Sequence, residues 1–517
     1  MNWSMGGMSN ILVLNMGMKS IRSIIFNSSG EKLATASRPI ETFLSEDLVL
    51  QNPAEWWGKA EIVIKESLND LNKEDVDYIT VTTSSACLVY VDSFGDALDK
   101  CIMVSDKRAV AESRELENAM QFKSVEEATG LSADPYLMLP KILWVKKNQG
   151  EIYKDVYKFL SPNDFLIGKM TGLYVTDTFN AQKYHFDVKL NQYPKELLQE
   201  LDIDQNTLPT VVEPGTAVGN LTRVAAKYLG LSEKTQVIVT TYDAICSFFG
   251  SGVSQEGEAS DVSGTVTVFR ALSKQKALKS SSEIFQMPCN KWNLNIVGGS
   301  NNLGGGLIEW VKQCYYQNEN YPYEVMEKDA GEAALGAGGL IFLPYLLGER
   351  APLWNSKARG VFFGLERMHT RKEMTRAVFE STGFIDLDMI QAIEKTGMKV
   401  DTIRLSGGLA RINLISQIKA DSTGKDVIVL SEFETTATGA AMLALIGVGE
   451  FSGLEAAADI FASVRMIIKP NLKNHRKYQE IFRLYKDTYK TLEPLFEKRL
   501  EIVKKIYPRH EVKIENL

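Results

Sequence analysis

"SNILVLNMGMKSIRSIIFNSSGEKLATASRP" (Ser9–Pro39) reads as a β-hairpin with an unusual bend. The apolar run Ile11–Leu14 meets Asn15 and Gly17, then Lys19, Ser20 and Arg22, before a second β-rich run and an Asn/Ser/Gly turn. Alternating apolar runs around small and polar residues predict two paired strands. Backbone N–H groups and cationic side chains that converge at such a bend can cradle an anion. Asn15–Arg22 is therefore a candidate phosphate grip.

Outward from this hairpin the pattern returns once. After a small, polar stretch at Ser254–Ala259, "ASDVSGTVTVFRALSK" (Ala259–Lys274) again gives a strand, a Ser-Gly-Thr bend and a strand. Two domains that each open on such a hairpin would face one another across a cleft. At 517 residues the chain is long enough for two or three domains, each with its own core.

Between the hairpins, Pro53–Leu71 carries Trp56, Ala60, Val63, Ile64 and Leu68 at helical spacing, with Trp56 and Trp57 read as core. "YITVTTSS" (78–85) and "CLVYVDSFGDAL" (87–98) read as strands, the latter with a turn at Ser93–Asp96. Residues 136–172 read as largely helical, punctuated by Pro140, Gly150 and Pro162. The strand "TQVIVTTYDA" (235–244) leads into a helix. The second half continues through "GGSNNLGGGLIEW" (298–310), the loop "LPYLLGERAPLWN" (343–355), a β-α-β unit over 402–430 and the Ala-rich helix "TTATGAAMLALIGVG" (435–449). From Asn474 to Tyr507, charges alternate with aromatic and aliphatic residues at helical spacing, as in a helix docked on a core.

Composition narrows the function. The net charge of −7, without a long Lys/Arg run, argues against nucleic acid as the main partner. Five scattered cysteines with no C-x-x-C pair suggest a reducing compartment. None of the four histidines lies at metal-ligand spacing from another His or a Cys, so a zinc site is not expected. No apolar run reaches the ~18 residues of a membrane span and the N-terminus lacks a signal-peptide pattern, so a cytoplasmic protein with no membrane partner is expected.

Walker A, G-x-G-x-x-G, G-x-S-x-G and H-E-x-x-H motifs are all missing from the sequence. What remains is a set of glycine bends after strands, at Gly17, Gly264, Gly304–Gly306 and Gly407–Gly408, spread over both candidate domains. Asp243 stands among the acids because it closes the apolar strand "VIVTTY" and precedes a helix. A carboxylate there can take a proton from an attacking hydroxyl, or it can cap the helix.

"RGVFFGLERMHTRKEMTRAVFE" (Arg359–Glu380) resembles the second signature of the FGGY carbohydrate kinases, through Gly360, Gly364, Leu365, Glu373, Met374, Ala377 and Glu380. "LPYLLGERAPLWN", "IRLSGGLARINLISQIKAD" and "YDAICSFFGSG", with Asp243 and Gly250, resemble neighbouring motifs, in order, from Ile11 to about Gly449. The resemblance implies an α/β fold of two ribonuclease-H-like domains of the actin and hexokinase type around a central cleft. It implies ATP-dependent phosphorylation of a small sugar, polyol or sugar acid such as a pentulose, with Mg²⁺.

Carried over, Asp243 becomes the catalytic base and an acceptor contact, and Gly17, Lys19, Ser20 and Arg22 become the first phosphate loop. Gly264 and Thr265 become the second, while Gly305, Glu309, Gly407 and Gly408 fall at the nucleotide's base and ribose. Asp106, Arg108 and Ser85 fall at the acceptor, and Asn15 and Asp243 reach Mg²⁺ through water. The expected domains are 9–254 for the sugar, 255–473 for the nucleotide and a helical extension at 474–517; the resemblance also admits a homodimer.

Departures from the family pattern are local. Its first loop usually reads Asp-x-Gly-Thr-Thr-Ser-x-Arg, against Asn15, Met16, Gly17, Met18, Lys19, Ser20, Ile21, Arg22 here. Xylulokinases carry Met-His-Gly where this chain has Ser85, Ala86 and Cys87, and Trp-x-Asp-x-Arg where it has Val104–Arg108. Asn15 supports a second reading, a kinase homologue with weakened catalysis acting as a sugar sensor or scaffold, because an amide lacks the charge that a carboxylate gives to hydrated Mg²⁺.

Overall fold

Strand β1 (Asn10–Met16) is buried along almost its whole length, which its near-continuous apolar sequence requires. It pairs antiparallel with β2 (Ser20–Asn27) and parallel with β4 (Tyr78–Thr83). With β3 (Lys32–Pro39), β5 (Thr216–Asn220) and β6 (Gln236–Val239) it forms a sheet of order β5-β6-β4-β1-β2-β3. The computed structural model describes residues 8–45, 47–119, 125, 133–275, 278–432 and 434–507.

By its internal contacts the chain divides into two compact units. The first comprises residues 1–254, 287–294 and 434–463, and the second 255–286, 295–433 and 464–517. In the second unit β7 (Glu258–Ser263) and β8 (Thr267–Ser273) form the repeated hairpin. Their seven-stranded sheet has an edge strand at Phe285–Cys289 and continues from it as β9-β8-β7-β10-β11-β12, where β9 is Leu294–Ser300, β10 Thr402–Gly407, β11 Asp426–Leu430 and β12 Val464–Ile468.

The two sheets share one topology. In the first, β3-β2-β1 are successively antiparallel, β1-β4-β6 parallel, and β6-β5 antiparallel. In the second, β9-β8-β7 are antiparallel, β7-β10-β11 parallel, and β11-β12 antiparallel. The hairpin echo seen in the sequence thus extends to six strands.

Local chemistry sets the flanking helices. Asn52 caps α1 (Pro53–Ser67) through a bond from Ala54 N, and Pro53 occupies the first turn, where its missing N–H costs nothing. Trp56, Ala60, Val63 and Ile64 form its buried face, and Trp56 donates to Gln51 Oε1. Trp57 is half-buried and stacks on Tyr228. A Ser161/Asp164 capping box starts α3 (Pro162–Thr171), and left-handed Gly172 ends it. Ahead of it lies α2 (Met138–Asn148).

The expected strand over 87–98 narrows to Val89–Val91. Asp92 accepts the N–H groups of Phe94 and Asp96, so its side chain supplies a turn where the ladder would otherwise continue.

Two helices of the first unit approach unusually closely. They are α4 (Asp243–Gly250) and, from the late part of the chain, α8 (Thr435–Gly447). A Cβ placed on Gly250 would overlap the Thr435 carbonyl oxygen, and one on Gly439 would overlap that of Cys246. Gly447 meets Gly215 in the same way. The second unit holds α5 (Gly305–Tyr315), the long buried α6 (Arg371–Glu394), α7 (Asn413–Thr423) and α9 (Leu472–Ile506). Tyr478, Phe482, Tyr485, Tyr489 and Phe496 of α9 pack with Ile341, Leu343, Phe384 and Leu387, which docks this helix on the second unit's core. Among the described residues no helix is long and apolar enough to cross a membrane.

The α4–α8 crossing makes opposite predictions for two glycines. Gly250→Ala has no room and should lose roughly 1–3 kcal/mol in urea melts, as overpacked cores do. Gly58→Ala, inside α1 where a Cβ meets nothing within 4 Å, should gain about 0.5–1 kcal/mol. Equal stability of the two variants would contradict the close crossing.

Candidate functional site

Parallel pairing brings the first unit's candidate residues to one edge. Because β1, β4 and β6 run the same way, their C-terminal ends emerge side by side, as the Asn15–Ser20 bend, the Thr83–Cys87 loop and the segment leading to Asp243. Ligands of open α/β sheets bind at such carboxyl ends. Tyr242 is the N-cap of α4 and contributes no side-chain cap, so Asp243 is the first helical residue. Its Oδ1 accepts the Ala244 N–H at 2.7 Å and its Oδ2 the Ser84 hydroxyl at 3.2 Å. The sequence reading named Ser85 and passed over Ser84, although both stand in the same four-residue bend. Thr83 hydrogen-bonds Asn163, whose amide reaches back to Val81 O, and this ties α3 beneath the bend.

At the first hairpin, Asn15 lies opposite both Arg22 and Thr82 in the sheet and is 2% exposed. Its Nδ2 has no hydrogen-bond partner, an orphaned donor of the kind that marks a site awaiting a ligand. Gly17 N closes the bend onto Ser20 O, and a Cβ on Gly17 would meet open space. Lys19 is exposed, Ser20 half-buried, and Arg22 pairs with Glu434.

Asp106 is wholly buried and saturated. Its oxygens accept Val49 N, Arg108 N and a fork from Arg108 Nε and Nη2 at 2.8 and 2.9 Å. Such a carboxylate has its lone pairs spent on holding Arg108, whose guanidinium stacks 4.6 Å from the Trp144 ring. Ser85 is half-buried, and Ala86 beside it sits at φ 54°, a conformation that costs a residue with a Cβ. Lys141 of α2 compensates: wholly buried, it donates to Ala86 O at 2.6 Å and Met103 O at 2.9 Å. Burial pushes its ammonium pKa down from the usual lysine value. No sequence signal separates the buried Lys141 from Lys146 and Lys147, which pair with Asp202 and Glu115.

The second unit gathers its glycines equally tightly. Gly304 N and Gly306 N donate to Thr265 O, and Gly305 N donates to Gly264 O at 2.7 Å. Gly407, at φ 84°, approaches the β7 end so closely that a Cβ would lie 2.5 Å from Ser263 O, and Gly408 follows it. Gly264, Thr265, Gly305 and Gly407 therefore converge, by backbone, on one bend. Glu309 lies further along α5, its carboxylate engaged by Lys312 and Tyr323. Among the described residues no three His, Cys, Asp or Glu side chains converge as a metal cluster.

The N-terminal domain of the FGGY family of carbohydrate kinases matches residues 10–250, and its C-terminal domain matches residues 260–448. The xylulose kinase of Staphylococcus xylosus is 26% identical over 484 residues, 93% of this chain and 100% of that protein. The gluconokinase of Bacillus licheniformis is 24% identical over 94% of this chain and 96% of that protein. The crystal structure of gluconate kinase from Lactobacillus acidophilus superposes with a TM-score of 0.87 at 25% identity, covering 95% of this chain and 100% of that one.

The Asp106–Arg108 fork carries a stability prediction. Arg108→Met leaves a buried carboxylate without its cation and should cost about 3–5 kcal/mol, whereas Asp106→Asn combined with Arg108→Met should recover much of that loss. Chemical denaturation of both variants checks this, and a single Arg108→Met variant as stable as the parent would contradict it.

Proposed function

Since the chain belongs to the FGGY family of carbohydrate kinases, we propose that it transfers the γ-phosphoryl group of ATP to one hydroxyl of a small open-chain acceptor, with Asp243 as the base. It is a carbohydrate kinase, with the two-domain α/β fold of the actin and hexokinase type. Members of the family use ATP as phosphate donor, typically with Mg²⁺. The observation that carries the reading is the carboxylate of Asp243, held at the carboxyl edge of three parallel strands by the Ser84 hydroxyl and a helix N–H.

In this reading the acceptor hydroxyl gives its proton to Asp243 as its oxygen attacks the γ-phosphorus, and the bond to the bridging oxygen breaks to release ADP. Gly17, Lys19, Ser20 and Arg22 in the first unit, and Gly264 and Thr265 in the second, offset phosphate charge, with Lys19 standing where the family carries a threonine. Gly305, Glu309, Gly407 and Gly408 take the nucleoside end, and Glu309 would exchange its Lys312 and Tyr323 partners to do so. Mg²⁺, when bound, supplies charge to the phosphates. With no cluster of acidic side chains among the described residues to cage it, it fits as an ion carried by phosphate and water. The orphaned amide of Asn15 fits a phosphate oxygen or a water on that ion. Arg108, aimed by Asp106, and Ser85 shape the acceptor pocket, which lacks the His of xylulokinases because Ala86 stands there. The family names among its relatives, xylulose kinase, gluconokinase and glycerol kinase, support a pentulose, a related ketose, a polyol or a sugar acid as acceptor.

Asp243→Asn keeps shape and removes basicity, so it should lower turnover by ~10²–10⁴-fold while MgATP affinity, measured by calorimetry, stays near that of the parent. A folded Asp243→Asn protein that keeps more than about a tenth of parental turnover would overturn the assignment of the base.

A further inference from the structure

The Gly348–Glu349–Arg350 loop belongs to a motif for which the proposed chemistry has no use. Glu349 is nevertheless only 4% exposed, in a loop otherwise open enough to leave Leu347 at the surface. Its Oε1 accepts two backbone N–H groups, from Asn302 at 2.9 Å and Arg350 at 2.8 Å. Three further bonds join the same two segments: Asn301 Nδ2 to Ala351 O, Asn302 Nδ2 to Leu347 O, and Arg350 Nη2 to Asn301 O. Gly299 completes the contact, since a Cβ there would overlap that of Ala351.

The segment gripped in this way in turn grips the β7–β8 bend. Asn301 N donates to Thr267 O, Gly304 N and Gly306 N to Thr265 O, and Gly305 N to Gly264 O. A Cβ on Gly304 would overlap the Thr267 hydroxyl, so the two backbones are in direct apposition. In a trans peptide the C=O of one residue and the N–H of the next point in opposite directions. Fixing the carbonyls of Gly264 and Thr265 toward the glycine loop therefore turns the N–H groups of Thr265 and Val266 outward, as a phosphate grip requires.

We propose that Glu349 is a positioning residue for nucleotide binding: its carboxylate buckles the 346–352 loop to Asn301–Asn302 and so fixes the peptide orientation of the Gly264–Val266 bend. This rests on the reading of that bend as a phosphate hairpin. Burial raises the Glu349 pKa to about 7, against the pull of its two backbone donors, the Asn301 side chain and the Arg350 charge. Tyr345, before the loop, and Tyr485, of α9, also face it, and both titrate well above their ordinary value, which leaves Glu349 as the group that changes charge near neutrality. The ionised carboxylate is the stronger acceptor, so the buckle tightens as pH rises through about 7 and loosens as pH falls.

Hydrogen exchange and calorimetry on the full chain test this. Glu349→Ala removes the acceptor shared by two part-buried backbone donors, Asn302 N and Arg350 N, and should speed exchange of the Gly304–Gly306 amides and weaken MgATP binding by roughly tenfold, with a larger effect on KM for MgATP than on kcat. Glu349→Gln keeps an oxygen acceptor, so its MgATP affinity should stay near parental at pH 8, and should lose the parental decline between pH 8 and 6. Unchanged glycine-loop exchange or unchanged MgATP affinity in Glu349→Ala overturns the proposal, as does a Glu349→Gln pH profile identical to the parent's. A parent protein that binds no MgATP overturns the phosphate-hairpin reading and this proposal with it. That failure is distinguishable, because the exchange comparison needs no nucleotide.

Discussion

The closest constraint in the first unit is the crossing of α4 and α8, where Gly250 and Gly439 each face a carbonyl oxygen of the other helix with no space for a single added carbon. Asp243 stands about one turn before that crossing, which spans Cys246–Gly250, at the first residue of α4. Fixing α4 against α8 at its C-terminal end fixes the direction of its N-terminal end, and with it the carboxylate. The Ser247 and Thr435 hydroxyls bond across the same interface, which adds a directional contact to the steric one. Residues 434–463 belong to the first unit for this reason, although in the sequence they follow most of the second.

Around that constraint a single topology is used twice. Each sheet has an antiparallel hairpin feeding two parallel strands, so in each unit a small polar bend and the ends of parallel strands share an edge. The first unit puts a carboxylate at that edge, and the second puts glycines there. The difference fits the proposed function: a base must be a side chain held in place, whereas a phosphate grip would be made of backbone, and backbone can approach closely only where side chains are missing. Gly407 against Ser263, and Gly304–Gly306 against Gly264 and Thr265, show such close backbone approach at atomic contact.

Much of this was legible in the residues. The two hairpins announce themselves because apolar runs end in small and polar bends, and α1 because Asn52, Pro53 and the Trp56–Ile64 spacing all agree. The place of Asp243, between a strand and the first turn of a helix, was legible from the apolar run before it. Other features leave no periodic trace. Lys141 sits among lysines and reads as one more solvated charge, yet it is buried and donates to the carbonyl of a strained Ala86. Asp106 reads as a ligand group, yet four N–H donors consume it. The membership of α8 in the first unit depends on glycines meeting backbone across long sequence separations, and Glu349 acts through Asn302 N, a contact no local pattern encodes.

The proposed activity is phosphorylation of a small acceptor at the expense of ATP. The direct measurement is transfer of label from γ-³²P-ATP, with ADP release followed in parallel, over a panel of pentuloses including D-xylulose, other ketoses, polyols and sugar acids. One phosphorylated acceptor is expected, formed mole for mole with ADP and dependent on Mg²⁺. ADP release that no acceptor in the panel accelerates, with no labelled sugar formed, would contradict it.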